Sequence, residues 1–264
     1  MLVIITDGYL FLSREAARIV ASAITKTPTS RLGFATGNTP LGMYQELIRL
    51  HREEQLDFSN IVTFNLDEYL GLGPEHPQSY HRYMWRNFFD HVNIRAENVY
   101  IPDGRLGGNY ERYCEEYEEA IRQAGGIDLQ VLGIGADGHI GFNEPTSSLA
   151  SRTRVTTLTR KTLDDNRQFF PLEGEMPECA ITMGIGTILE ARKILLLAAG
   201  SNKAPAVAKA IEGPITSSVT ASALQLHRDV TLVLDQEAAA QLEHREYYLR
   251  VVELTRKFTP DRLW

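Results

Sequence analysis

One stretch constrains the fold more than any other: residues 129–145, LQVLGIGADGHIGFNEP. It opens as a short apolar run, Leu129, Val131, Leu132 and Ile134, bounded by glycines. Such a run suits a strand buried on both faces of a parallel sheet. It closes in a turn carrying three proton-handling side chains, Asp137, His139 and Glu144. Polar residues just past the carboxyl end of a buried strand sit where open α/β sheets bind ligands. The stretch therefore predicts an architecture and, within it, the position of a chemical centre.

Gly133, Gly135 and Gly138 also spell G-x-G-x-x-G directly after that strand. As a dinucleotide site the pattern needs a helix opening at the third glycine and an acid about 20 residues on for the ribose. Here Gly138 leads into His139, Ile140 and Gly141, with Pro145 soon after, a run ill-suited to starting a helix. No acid occurs over residues 155–160, and Asp137 inside the turn would repel a pyrophosphate. No nicotinamide cofactor is expected.

The grammar of strand, turn and helix repeats along the chain. Strands are predicted over residues 2–6, 31–35, 61–66, 127–134, 193–199 and 230–235, with a short one at 99–101. Between them fall a helix over 14–25 capped by Ser13 and a helix from Pro40 to about Leu50 with Thr39 as its cap. An aromatic amphipathic segment over 80–89, a tyrosine-striped helix around Tyr110, Tyr113 and Tyr117, and a helix or irregular segment over 180–189 follow. The polar stretch 147–174 is either a mobile cover or plain surface structure. The alternation indicates an α/β fold: a single doubly wound, mostly parallel sheet with helices on both faces, Rossmann-like. One domain is expected over 1–264, with 236–264 as a C-terminal helical extension.

Composition narrows the partners. A net charge of −7 argues against a nucleic-acid face, so an anionic ligand would need a local basic pocket. Cys114 and Cys179 lie far apart, which fits neither a disulfide framework nor a zinc knuckle and suits a reducing cytoplasm. The N-terminus, MLVIITDGYLFL, lacks a basic lead and is broken at Asp7-Gly8; it reads as a first strand, not a signal peptide. No apolar run reaches the ~18 residues a membrane span needs.

Four strand ends carry groups able to hold a ligand: Thr36, Gly37, Asn38 and Thr39; Asp67 and Glu68; Asp137, His139 and Glu144; and Lys203. Parallel strands put these ends on one edge of the sheet, where they can converge. Unpaired amides at a helix start make the Thr36 turn a cradle for phosphate, or an ordinary βα turn. A metal at Asp137 and His139 is not expected, because no other histidine or cysteine lies at matching spacing. No G-x-S-x-G elbow marks a serine nucleophile. Two carboxylates beside a histidine set its charge and tautomer, which suits proton shuttling near neutral pH. Asp67 is then available as a carbon-acid base elsewhere on the substrate, with Lys203 and a helix start holding a phosphate. The residues together indicate proton transfer on a small phosphosugar without a cofactor.

The motifs Ala35-Thr36-Gly37-Asn38-Thr39-Pro40, Phe64-Asn65-Leu66-Asp67-Glu68-Tyr69, the run from Gly135 to Pro145, and Ser201-Asn202-Lys203-Ala204 resemble those of the glucosamine-6-phosphate deaminase (isomerase) family, in the same order and nearly end to end. The resemblance implies aldose–ketose isomerisation of glucosamine 6-phosphate with loss of ammonia, giving fructose 6-phosphate, with neither metal nor other cofactor. It implies that His139 opens the ring with Asp137 and Glu144 setting its charge, and that Asp67 carries a proton from C2 to C1. Thr36, Gly37, Asn38, Thr39 and Lys203 would hold the phosphate. Family members place an arginine directly before the aromatic pair; here the order is Asn166-Arg167-Gln168-Phe169, so Arg167, the candidate for that role, has slipped by one.

Members with a C-terminal extension tend to be hexamers activated by N-acetylglucosamine 6-phosphate. The resemblance therefore implies a homo-oligomer, a hexamer, with Ser147, Ser148, Arg154 and Thr157 as parts of an effector site. Thr156 stands where activatable members carry lysine, and their C-terminal tyrosine has no clear counterpart, so activation should be weak or absent. Two alternatives remain: a 6-phosphogluconolactonase on the same scaffold, which would not need Asp67, and a non-catalytic sugar-phosphate sensor, which could dispense with the histidine set.

Overall fold

The computed structural model describes residues 1–105, 108–170 and 176–258. In chain order the elements are β1 (Leu2–Thr6), α1 (Tyr9–Lys26), β2 (Arg31–Phe34), α2 (Leu41–Glu54), β3 (Val62–Asn65), β4 (Asp67–Tyr69) and α3 (Tyr80–Asn87). There follow β5 (Val99–Tyr100), α4 (Tyr110–Gln123), β6 (Leu129–Leu132), β7 (Arg154–Thr157), α5 (Arg160–Asn166) and β8 (Cys179–Thr182). The remainder is α6 (Ile185–Leu189), β9 (Lys193–Ala198), α7 (Ala204–Ile211), β10 (Val230–Asp235) and α8 (Arg245–Phe258).

Seven strands form one sheet in the order β1-β10-β9-β6-β2-β3-β5, and every pairing in it is parallel. Strand alternation splits the apolar residues between two cores. Ile194, Leu196, Leu232 and Leu234 point into one, beside Tyr117 and Ile121 of α4 and Ala206 and Val207 of α7. Leu195, Leu197, Val233, Leu129 and Val131 point into the other, beside Leu12 and Val20 of α1 and Tyr44 and Leu47 of α2. Burial on both faces is why β9 and β10 read as continuous apolar runs. The predicted α/β class, with helices on both faces, is the one observed.

Going outward from β2, the chain runs through β3 to β5, then returns to lay β6 on the opposite side of β2 and continues to β9 and β10. The direction of winding thus reverses between β2 and β6. At such a switch point the loops leaving two neighbouring strands diverge to opposite faces and open a crevice at their carboxyl ends. Those loops are Ala35 to Pro40 and Gly133 to Pro145.

A second sheet was not foreseen. β4, β8 and β7 form three antiparallel strands, so residues 67–69 are strand rather than the loop end of β3, and residues 180–182 are strand rather than a helix or irregular segment. Tyr69, Phe142, Leu158 and Phe170 pack into a small apolar cluster against it. Two helix starts also differ from expectation. α1 begins straight after Gly8, and Ser13 lies buried within it, its hydroxyl donating to Tyr9 O (2.8 Å). Pro40 rather than Thr39 occupies the cap of α2. No helix among the described residues is long and apolar enough to cross a membrane. The last six residues of the expected 236–264 extension, and 171–174 of the polar stretch, lie outside the described residues.

Candidate active site

A cleft of about 730 Å³ opens at the switch point. Thr36, Gly37, Asn38 and Thr39 form one wall, Gly135, Ala136 and His139 another, Asp67 and Tyr80 the base, and Lys203 closes one end. Residues 167 positions apart, from 36 to 203, therefore share one lip of the sheet.

The wall after β2 is a loop whose carbonyls are held away from the cleft. The Tyr44 hydroxyl donates to Ala35 O (2.6 Å), that of Tyr83 to Gly37 O (2.6 Å) and that of Tyr9 to Asn38 O (2.9 Å). Tyr9 also accepts from the Gly42 N–H (2.8 Å). In a planar trans peptide the N–H points opposite the C=O. Fixing these three carbonyls thus fixes the N–H groups of Thr36, Asn38 and Thr39. None of the amides of Thr36, Gly37, Asn38 and Thr39 meets an acceptor among the described residues. A row of free donors at the start of α2 is an anion cradle.

The turn after β6 is built around the imidazole. His139 Nδ1 lies 2.7 Å from Asp137 Oδ1 and 3.5 Å from Glu144 Oε2, although its ring N–H is not aligned on either as a hydrogen bond. The His139 backbone N–H donates to Asp137 Oδ1 (3.2 Å), closing the turn. Burial would push the Asp137 carboxyl up; the histidine ring and N–H outweigh it and hold it down at about 2. Glu144 is buried, and its Oε1 accepts from the Thr159 N–H (3.1 Å), tying the catalytic turn to the start of α5. The glycines of this turn serve the histidine. A β-carbon on Gly135 would collide with the His139 ring, and Gly138 holds a positive φ of 91°, open chiefly to glycine. The donor atoms of Asp137, His139 and Glu144 lie within 4.8 Å of one another.

Asp67 reaches the cleft from β4, where it pairs with Thr182. Burial, with Glu68 beside it, pushes its carboxyl up to about 8. Glu68 faces away from the cleft and accepts from the N–H groups of Tyr69 (2.8 Å), Tyr80 (2.9 Å) and His81 (2.9 Å), anchoring the start of α3. Burial still carries the Glu68 carboxyl to about 7 against those donors. Lys203 is held below the usual lysine range, chiefly by burial.

The last wall comes from α5 and the turn after it: Lys161, Thr162, Asp165, Asn166, Gln168 and Phe169. Arg167 is exposed and is not part of the wall. Lys161 and Asp165 lie one turn apart on one face of α5, and in the 3-10 turn that follows, Arg167–Phe169, Arg167 is turned about 120° away from Gln168. A slip of one residue therefore carries the arginine out of the cleft. The sequence did not point to Lys161, Asp165 or Tyr80; the one signal for the first two was the i, i+4 spacing, hidden in a polar stretch without apolar contrast, and Tyr80 had none.

Of the residues expected at an effector site, Arg154 donates to Ser147 Oγ (3.0 Å) and to Asn143 Oδ1 (2.8 Å). Ser148 Oγ accepts from Ala150 N–H within its own turn (3.2 Å), and Thr157 is exposed at the end of β7.

This is the geometry of an α/β protein with a histidine–carboxylate cluster beside a row of free amides. A sequence profile described as glucosamine-6-phosphate isomerases/6-phosphogluconolactonase matches residues 10–233, and the chain belongs to that family. It is 54% identical over 240 residues to a glucosamine-6-phosphate deaminase of Thermoanaerobacter sp. (strain X514), covering 91% of this chain and 94% of that one. Against the protein of the same name from Clostridium botulinum (strain Loch Maree / Type A3) it is 52% identical over 242 residues, covering 92% and 99%. The solved structure of a monomeric glucosamine-6-phosphate deaminase superposes with a TM-score of 0.89 at 48% identity, covering 91% of this chain and 100% of that one. A 6-phosphogluconolactonase from Trypanosoma cruzi shares the fold, with a TM-score of 0.71 at 20% identity and coverage of 92% and 97%.

Proposed function

We propose that the protein converts glucosamine 6-phosphate into fructose 6-phosphate and ammonia. The observation that carries this reading is the buried Asp67 carboxyl sharing one cleft with the His139 group and a row of free amides. Relatives more than 50% identical over most of the chain bear the name of that activity. His139, poised by Asp137 and Glu144, moves the proton that opens the pyranose ring. Asp67 then takes the C2 proton of the open-chain aldose, giving an enolamine, and returns it to C1. The resulting ketimine adds water and loses ammonia, so the net change consumes one water and breaks the C–N bond, hydrolytic in stoichiometry. The phosphate sits on the amides of Thr36, Gly37, Asn38 and Thr39 with Lys203 beside it. The substrate's ammonium, arriving at C2, favours ionised Asp67, countering the burial that holds it protonated.

The test is ammonia release from glucosamine 6-phosphate by the purified protein, with His139→Gln as control. Release by the wild type, reduced about 10²–10⁴-fold in the variant, is expected. A wild type that binds the sugar and releases nothing would mark a sensor instead. Activity that survives Asp67→Asn on a lactone would mark a lactonase. A homo-oligomer remains our reading from the resemblance, against one structural relative described as monomeric; a single-copy mass in sedimentation would set it aside.

A further inference from the structure

The cleft is short of positive charge for the ligand assigned to it. A sugar phosphate carries about −1.5 to −2 charges near neutral pH, and two acids, Asp67 and Asp165, share the walls. Among the described residues of those walls the cationic side chains are Lys203 and Lys161. Lys203 is half-buried and close enough to Lys161 and Asp165 to feel both charges. Lys161 stands on α5, half exposed at the mouth, its Nζ 3.8 Å from Asp165 Oδ2 one turn on. That distance is a loose ion pair, weak in solvent, and one that an incoming phosphate with three acceptor oxygens can outcompete.

We propose that Lys161 is the second cation of the phosphate site, and that Asp165 is its resting partner, exchanged for the substrate phosphate on binding. The proposal rests on the phosphosugar reading above and deepens it. Three features point the same way. Lys161 and Lys203 approach the cleft from different elements, α5 and the turn before α7, so together they enclose an anion. The position that faces the cleft one turn beyond Asp165 is Gln168, which is uncharged. Arg167, the nearest other cation on this segment, lies outside the wall. Lys161 is thus the charge that α5 offers to the cleft. The start of α5 is in turn tied to the turn that carries His139 by the Thr159–Glu144 hydrogen bond.

The experiment compares steady-state kinetics and inhibition by inorganic phosphate in the full-length protein and five variants. Lys161→Gln should raise KM for glucosamine 6-phosphate about tenfold, the size of one lost charge-assisted hydrogen bond. The inhibition constant of phosphate should rise in the same proportion, with kcat changed far less. Lys161→Arg should retain most of the affinity. Lys161→Gln combined with Gln168→Arg should recover it, because 168 faces the same cleft. Arg160→Gln removes a charge from the same helix outside the wall and should change neither constant. Asp165→Asn should lower KM by releasing Lys161 from its partner. Unchanged KM and phosphate inhibition in Lys161→Gln would overturn the proposal, as would an equal loss in Arg160→Gln. Phosphate affinity, measured by calorimetry, reads Lys161 even if the wild type turns over no amino sugar. Failure of the enzymatic reading and failure of this one are therefore distinguishable.

Discussion

Asp67 is asked to be buried and to act as a base, and the two demands oppose each other. Its carboxyl is held near 8 in the fold, while in the unfolded chain it titrates near 4. Between those values the folded state binds the extra proton, so this group makes stability fall as pH rises through that window. Asp67→Asn removes the ionisation. At pH 8 it should raise unfolding free energy by on the order of 2–4 kcal/mol, read by urea titration, while abolishing ammonia release. The same opposition shapes the rate. Only the ionised base can take the C2 proton, so kcat/KM should climb with pH, reach half its maximum near 8 and level off about a unit higher; a flat profile from pH 5 to 8 would contradict the assignment. Gly135 makes a simpler demand. Gly135→Ala drives a β-carbon into the His139 ring and should lower kcat about 10²-fold with little effect on KM, as expected for a displaced catalytic group.

At the scale of elements, the loop after β2 shows how a scaffold prepares a site. Tyr9 from α1, Tyr44 from α2 and Tyr83 from α3 each hold one carbonyl of the same short loop. Tyr83→Phe deletes one hydroxyl without changing the ring. It should raise KM about threefold and leave kcat nearly unchanged, since one neutral hydrogen bond is worth at most about 1 kcal/mol. Tyr44→Phe, fully buried, should instead lower stability by about 1 kcal/mol, measured by denaturant unfolding. Nothing in the sequence pointed to this role for Tyr9, Tyr44 or Tyr83, because a hydroxyl aimed at a distant carbonyl leaves no periodic trace. The small antiparallel sheet was missed for a related reason. β4 is three residues of Asp-Glu-Tyr and β7 is Arg-Val-Thr-Thr, neither showing the apolar alternation that identifies a strand.

For the whole molecule, the long parallel strands were legible because burial on both faces forces apolar runs that end abruptly in Gly-rich turns. Val230–Asp235 and Lys193–Ala198 fall where the hydropathy changes. The order of strands was not legible, since each pairs with neighbours far away in sequence. It is that order which puts the reversal between β2 and β6 and so gathers Thr36, Asp67, His139 and Lys203. The face of α5 that meets the cleft was equally hidden, and with it the exchange of Arg167 for Lys161 and Gln168.

One proton, carried inside the cleft by Asp67, which is 6% exposed, is the centre of the chemistry. Substrate deuterated at C2 tests this directly when the fructose 6-phosphate is examined for label at C1. A primary isotope effect on ammonia release and a measurable fraction of deuterium at C1 are expected. Ammonia release without an isotope effect, with the label lost wholly to water, would contradict it.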